Sequence, residues 1–78
     1  MAIDLDNFPS ARQLIAIRGW LGMNQRKFGE AAGVSLSTIT LFETDKVKTS
    51  TDSRIAISRY LDEVGVTIDK DGNLVLPQ

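Results

Sequence analysis

The 78-residue chain contains neither cysteine nor histidine. Without cysteine it cannot form disulfides, thiolate zinc sites, iron–sulfur clusters or a cysteine nucleophile. Without histidine it lacks the commonest general base and metal ligand, and any Ser-His-Asp triad. We therefore expect a protein that is not an enzyme and that carries no cofactor.

Long apolar runs are also missing, so the sequence predicts no membrane span and no signal-peptide core. Together with the absence of cysteine, this favours a cytoplasmic location. A chain of 78 residues has room for one small domain, residues 1–78, with a marginal core. Helix packing and self-association are the remaining sources of stability.

The net charge of −1 shows no overall excess of basic residues. The charges are unevenly distributed, however. Between Arg12 and Arg59 the chain has eight basic and four acidic residues, a local net charge of +4, and the remaining residues contribute −5. Phosphate binding depends on the local charge rather than on the total. The basic middle therefore fits a nucleic-acid contact, and it fits a solvated surface of mixed charge equally well.

Apolar residues follow a helical period after residue 9, and we expect residues 1–9 to form an extended arm. Ser10 and Gln13 are spaced as a capping box that opens a first helix, and Gly22 ends this helix. Its inward face is formed by Leu14, Ile17 and Leu21.

Three further helices complete a helical core over residues 10–65. Each begins at a side chain that can accept a hydrogen bond from first-turn N–H groups. These predicted N-caps are Asn24, then Ser35 or Ser37, then Ser50 or Thr51. Beyond Gly65 the residues alternate around Asp71-Gly72, which predicts a strand or hairpin over residues 66–76. The expected fold class is mainly α, with four to five helices and a short C-terminal β-hairpin or strand.

The second and third predicted helices, joined by a glycine turn, form a helix-turn-helix. Residues 24–43 read NQRKFGEAAGVSLSTITLFE. This stretch resembles the Cro/repressor type of helix-turn-helix, the XRE family. The matching positions are Gln25, Phe28-Gly29, Gly33-Val34-Ser35, Thr38-Ile39 and Glu43. The resemblance covers about residues 10–66 and implies a repressor-like DNA-binding domain.

In this family the third helix enters the major groove by its N-terminal part. The resemblance places base contacts at Leu36, Ser37, Thr40 and Leu41. It places a phosphate contact at Gln25. The other candidate phosphate contacts are Asn24, Arg26, Ser35, Thr38, Lys46, Lys48 and Thr49, and the alternative for Lys46 and Lys48 is solvated loop lysines. The resemblance also implies a structural ion pair between Arg18 and Glu43 that locks the third helix against the first. The alternative for this pair is two unrelated surface charges.

Two features depart from the family pattern. Leu36 and Leu41 stand where many relatives carry Arg or Gln. They can contact thymine methyl groups but cannot hydrogen-bond to bases, and packing or a protein interface is the alternative role. Position 29, which is often alanine in relatives, is glycine here, which suits a close helix crossing and costs about 1 kcal/mol of helix propensity.

The leading interpretation is a sequence-specific transcriptional regulator that binds double-stranded DNA, a repressor or activator of the small phage or mobile-element kind. We expect a homodimer, because two recognition helices then reach successive major grooves, about 34 Å apart, on a pseudo-palindromic operator. The candidate dimer contact is segment 66–76, or the fourth helix with Ile55 and Tyr60. The alternative function is an antitoxin-like module that binds a partner protein through the helix-turn-helix face.

Overall fold

The structure is a computed structural model that describes residues 8–44 and 50–77. The helices in these ranges are α1 Ala11–Leu21, α2 Gln25–Ala32, α3 Leu36–Glu43 and α4 Thr51–Val64. Two antiparallel strands follow, β1 Thr67–Ile68 and β2 Leu74–Val75. The expected mainly α class with a C-terminal hairpin is confirmed. None of the four described helices has the length and hydropathy that crossing a membrane requires.

Each described helix begins at a side chain that caps its first turn. The hydroxyl of Ser10 accepts a hydrogen bond from the Gln13 N–H at 3.1 Å, and the Gln13 side chain accepts one from the Ser10 N–H at 2.9 Å. The predicted capping box is therefore present. Asn24 caps α2 as predicted, and between the two candidates for each later helix, Ser35 caps α3 and Ser50 caps α4. The glycines that follow α1, α2 and α4 are Gly22, Gly33 and Gly65.

All four helices and the residue before β1 contribute to one apolar core. Its buried members are Leu14, Ile17, Phe28, Ala32, Ile39, Phe42, Ile57, Leu61 and Val66. The ring of Tyr60 packs edge-on against Phe28 with centroids 5.6 Å apart, and its hydroxyl lies 3.6 Å from the Met23 sulfur. Through these contacts α4 packs against α2 and against the loop before it, and so supports the helix-turn-helix.

The residues just before α1 also belong to the packed structure. Phe8 lies edge-on to Phe42, with ring centroids 5.5 Å apart, and Pro9 is buried. The Arg54 guanidinium lies 5.4 Å from the centre of the Phe8 ring, a cation–π contact. Phe8, at the end of the predicted arm, thus packs against the last turn of α3. Residues 1–7 of the predicted arm lie outside the described residues.

The hairpin folds back onto the helices rather than standing free. The Gln13 side-chain amide donates to the Gly72 carbonyl in the hairpin turn at 2.8 Å. Val66 is buried, whereas Val75 on β2 is 44% exposed. The hairpin residues packed against the core are Leu74 and Leu76. One face of the hairpin is therefore covered by the domain and the other is open.

Candidate nucleic-acid interface

A turn of three residues, 33–35, joins α2 to α3. Gly33 has φ +80° and ψ +30°, a left-handed conformation that favours glycine. The N–H groups of Gly33 and Val34 both donate to the Gly29 carbonyl, at 2.8 and 2.9 Å. Ser35 then starts α3 by accepting from the Thr38 N–H at 3.1 Å. These local bonds fix the angle between the two helices.

Gly29 lies where α2 passes closest to this turn. A Cβ atom built on Gly29 would be 2.8 Å from the Val34 carbonyl oxygen and 3.5 Å from the Ile39 side chain. The first distance is shorter than a carbon and an oxygen can approach without movement of the backbone. Glycine at this position therefore permits a closer approach of α2 to the turn than alanine would.

Helix α3 is anchored on one side and open on the other. Ile39 and Phe42 are buried in the core, with exposures of 0% and 8%. Leu36 is 38% exposed and Leu41 is 42% exposed. Ser37 is exposed and Thr40 is partly exposed. The four residues predicted to contact bases therefore all reach the surface, and neither leucine is part of the core.

An ion pair joins the end of α3 to α1. Arg18 Nε donates to Glu43 Oε2 and Arg18 Nη2 donates to Glu43 Oε1, both at 2.8 Å. Arg18 Nη1 donates to the Met23 carbonyl at 3.2 Å. The side chain of Glu43 is 4% exposed and that of Arg18 is 19% exposed. Because both groups are largely removed from water, this is a bidentate structural pair rather than a contact between two surface charges.

Both pKa values shift toward the charged forms. The hydrogen bond to Glu43 raises the pKa of Arg18 against the opposing effect of burial. For Glu43, burial is the largest single influence and would raise the pKa. The hydrogen bonds from Arg18 and Gln25, with the charge of Arg18, together outweigh burial and lower the pKa. Glu43 is therefore an ionised carboxylate at neutral pH.

Two of the predicted DNA contacts are joined to this ion pair. Gln25 Nε2 donates to Glu43 Oε1 at 3.1 Å. Thr40 donates its hydroxyl proton to Gln25 Oε1 at 3.3 Å, a long hydrogen bond. The four side chains Arg18, Glu43, Gln25 and Thr40 thus form one polar network across α1, α2 and α3. The network holds the start of α2 and the middle of α3 in one arrangement.

The first turn of α2 carries basic side chains and no acidic ones. Arg26 and Lys27 are both exposed there, beside the N-cap Asn24, whose Oδ1 accepts from the Lys27 N–H at 2.8 Å. The helix dipole favours acidic residues in a first turn. A basic first turn is therefore slightly unfavourable for the helix by itself, but it suits an anion bound at the helix N-terminus.

The other predicted phosphate contacts lie in two places. Ser35 and Thr38 at the start of α3 have hydroxyl oxygens 2.8 Å apart, hydrogen-bonded to each other. Lys46, Lys48 and Thr49 lie outside the described residues.

Sequence reasoning missed the contacts of Gln25 with Glu43 and Thr40. These partners are 18 and 15 residues from Gln25 along the chain. Helical spacing relates only residues three or four apart, so no local pattern could have indicated these bonds.

A family model described as Helix-turn-helix matches residues 14–68, more than half of the chain. The matched range begins within α1 and ends at the last residue of β1, so it includes α2, the turn and α3. No curated protein and no solved structure matches the chain.

Proposed function

Because this chain belongs to the XRE-type helix-turn-helix family of DNA-binding regulators, we propose that it is a sequence-specific repressor. In this proposal it acts in the cytoplasm as a homodimer on a pseudo-palindromic operator, which it reads through the major groove. The observation that carries the proposal is the open side of α3. Helix α3 is fixed in place by its buried residues and by the Arg18–Glu43 pair. Its open side lies next to the basic first turn of α2.

The proposed base contacts are Leu36, Ser37, Thr40 and Leu41. Ser37 and Thr40 have hydroxyl groups that can hydrogen-bond to base edges, and the two leucines can contact thymine methyl groups. The proposed phosphate contacts are Asn24, Gln25, Arg26, Ser35 and Thr38, together with Lys46, Lys48 and Thr49. One N–H group of the Gln25 side-chain amide donates to Glu43. The second N–H group of that amide can donate to a phosphate oxygen.

We propose that the C-terminal hairpin forms the dimer contact. Val75 is 44% exposed on β2, and its cross-strand partner Thr67 is also exposed. Exposed strand edges pair readily with a second chain, and the face of the hairpin that carries Val75 is open. The alternative contact on α4 is less well supported, because Tyr60 already packs against Phe28. Ile55, the other residue of that surface, is partly buried.

Selection of bound duplexes from a random DNA pool tests this proposal. We expect enriched sites with dyad symmetry and half-sites about one helical turn apart. Binding should weaken steeply with salt, with log K falling against log salt by about 0.9 per phosphate contacted. A pool without enrichment, or binding that is independent of salt, would contradict the proposal.

A second candidate function is binding of a partner protein through the helix-turn-helix face. The exposure of Leu36 and Leu41, 38% and 42%, favours it, since apolar side chains are common in protein interfaces. Replacing thymine by uracil in the selected sites tests whether the two leucines contact DNA or remain available to a partner protein, because uracil lacks the methyl group. If the leucines read thymine, uracil at one position should weaken binding several-fold, and Leu41→Ala or Leu36→Ala should abolish that difference.

A further inference from the structure

The polar network determines which way its hydrogen atoms point. Glu43 is ionised, and a carboxylate can only accept hydrogen bonds. Its Oε1 accepts from Arg18 Nη2 at 2.8 Å and from the Gln25 amide at 3.1 Å. The amide must therefore present its NH₂ group to Glu43. The opposite orientation would place two acceptors 3.1 Å apart next to a side chain that is 4% exposed.

The orientation of the amide in turn orients the hydroxyl of Thr40. With the NH₂ group of Gln25 directed at Glu43, its carbonyl oxygen Oε1 lies 3.3 Å from Thr40 Oγ1. A hydroxyl has one hydrogen, and here that hydrogen lies between the two oxygens. Thr44, one turn later, shows the alternative, since its hydroxyl donates to the carbonyls of Thr40 and Leu41 in its own helix. Within residues 8–44 and 50–77, Gln25 Oε1 is the acceptor that Thr40 uses.

We propose that Thr40 accepts a hydrogen bond from DNA. In this proposal Glu43 determines the direction of that bond, because it orients the side-chain amide of Gln25, which in turn orients the Thr40 hydroxyl. This inference rests on the proposed function, and it adds the chemical group that Thr40 recognises on a base. The groove-facing lone pairs of Thr40 match an amino group, which is N4 of cytosine or N6 of adenine. They do not match O6 or N7 of guanine or O4 of thymine, which are themselves acceptors. Glu43 is thus a positioning residue for readout as well as a partner of Arg18.

The first test compares the wild-type protein with Thr40→Val, which keeps the shape of the side chain and removes the hydroxyl. Random-pool selection with both proteins identifies the base pair whose preference depends on Thr40. At that base pair we expect the contacted group to be the amino group, N4 of cytosine or N6 of adenine, rather than a carbonyl oxygen or ring nitrogen. Replacing the amino group of that base by hydrogen in a synthetic duplex should weaken wild-type binding about three- to tenfold. The same change should weaken binding of Thr40→Val less than about twofold.

The second test changes the direction of the hydrogen bonds and uses a matched control. Glu43→Gln introduces an amide that can donate, so Gln25 is free to turn and the Thr40 hydroxyl is free to donate. Removing the amino group of the contacted base should then weaken binding of this variant less than about twofold. Arg18→Gln also removes the ion pair but keeps the carboxylate, so at pH 8 it should retain the wild-type base preference. A structural role alone would affect both variants alike.

Each outcome decides the inference. Equal weakening of wild-type and Thr40→Val binding on removal of the amino group would overturn it, as would equal sensitivity of Glu43→Gln and Arg18→Gln to that removal. Enriched sites with no position that depends on Thr40 would overturn this inference and leave the proposed function standing. A pool with no enrichment would overturn both. If Glu43→Gln or Arg18→Gln does not fold, the wild-type and Thr40→Val measurements with modified bases decide alone.

Discussion

Gly29 in α2 and Gly19 in α1 form a matched pair for testing how closely the helix-turn-helix is packed. Alanine raises helix propensity at an interior position by up to about 1 kcal/mol over glycine. A Cβ atom at Gly19 would meet no heavy atom within 4 Å among the described residues outside its local backbone. At Gly29 it would lie 2.8 Å from the Val34 carbonyl oxygen. The two substitutions are chemically identical and differ only in their surroundings.

The geometry sets the expected magnitudes. An ordinary contact of 3.4 Å at Gly29 requires a displacement of 0.6 Å, the difference between 3.4 and 2.8 Å. The turn cannot make this displacement freely, because the Gly33 and Val34 N–H groups are bonded to the Gly29 carbonyl. Overpacking of this kind costs about 1–3 kcal/mol. After the gain in propensity is subtracted, we expect Gly29→Ala to lower the free energy of unfolding by about 1 kcal/mol. We expect Gly19→Ala to raise it by about 0.5–1 kcal/mol.

Thermal and urea unfolding of the two variants measure this difference. In a domain of this size 1 kcal/mol corresponds to about 4–8 °C in Tm, so the two variants should differ clearly and in opposite directions from the wild type. A Gly29→Ala protein as stable as Gly19→Ala would refute the reasoning, because the turn would then have room for a methyl group.

Three further predictions concern the ion pair, the phosphate contacts and the dimer. Glu43→Gln should lower the free energy of unfolding by about 2 kcal/mol, less than for a fully buried pair because Arg18 is 19% exposed. Since folding lowers the pKa of Glu43 below its ordinary 4.5, the carboxylate stabilises the fold above about pH 4.5. This stabilisation is lost as the pH falls through the lowered pKa. The free energies of unfolding of wild type and variant, measured with urea, should therefore converge in acid. A difference that stays constant with pH would contradict the assignment. Arg26→Ala should weaken binding to specific and random DNA alike and reduce the salt slope by about 1, and a change confined to one base pair would argue against a phosphate contact. Val75→Lys should shift sedimentation toward the monomer while circular dichroism stays unchanged, and an unaltered sedimentation profile would exclude the hairpin as the dimer contact.

Local chemistry explains why the boundaries of the elements could be predicted. The capping box of Ser10 and Gln13, the cap at Asn24 and the stop at Gly33 act within three or four residues of themselves. Where two caps were equally plausible, Ser35 or Ser37 for α3, the structure resolved the choice. The exposure of Leu36 and Leu41 also could not be read from sequence, because apolar residues on α3 fit the core and the surface equally well.

The sequence by itself therefore determined the helices, the turn between α2 and α3, and the family, because caps, glycines and apolar spacing act over a few residues. Only the tertiary structure decided which side of α3 is open. It also joined Thr40 to Glu43 through Gln25, and it brought Gly29 against the Val34 carbonyl. These features depend on the packing of separate helices, and on hydrogen-bond directions that a donor or acceptor acquires only when its partner is in place.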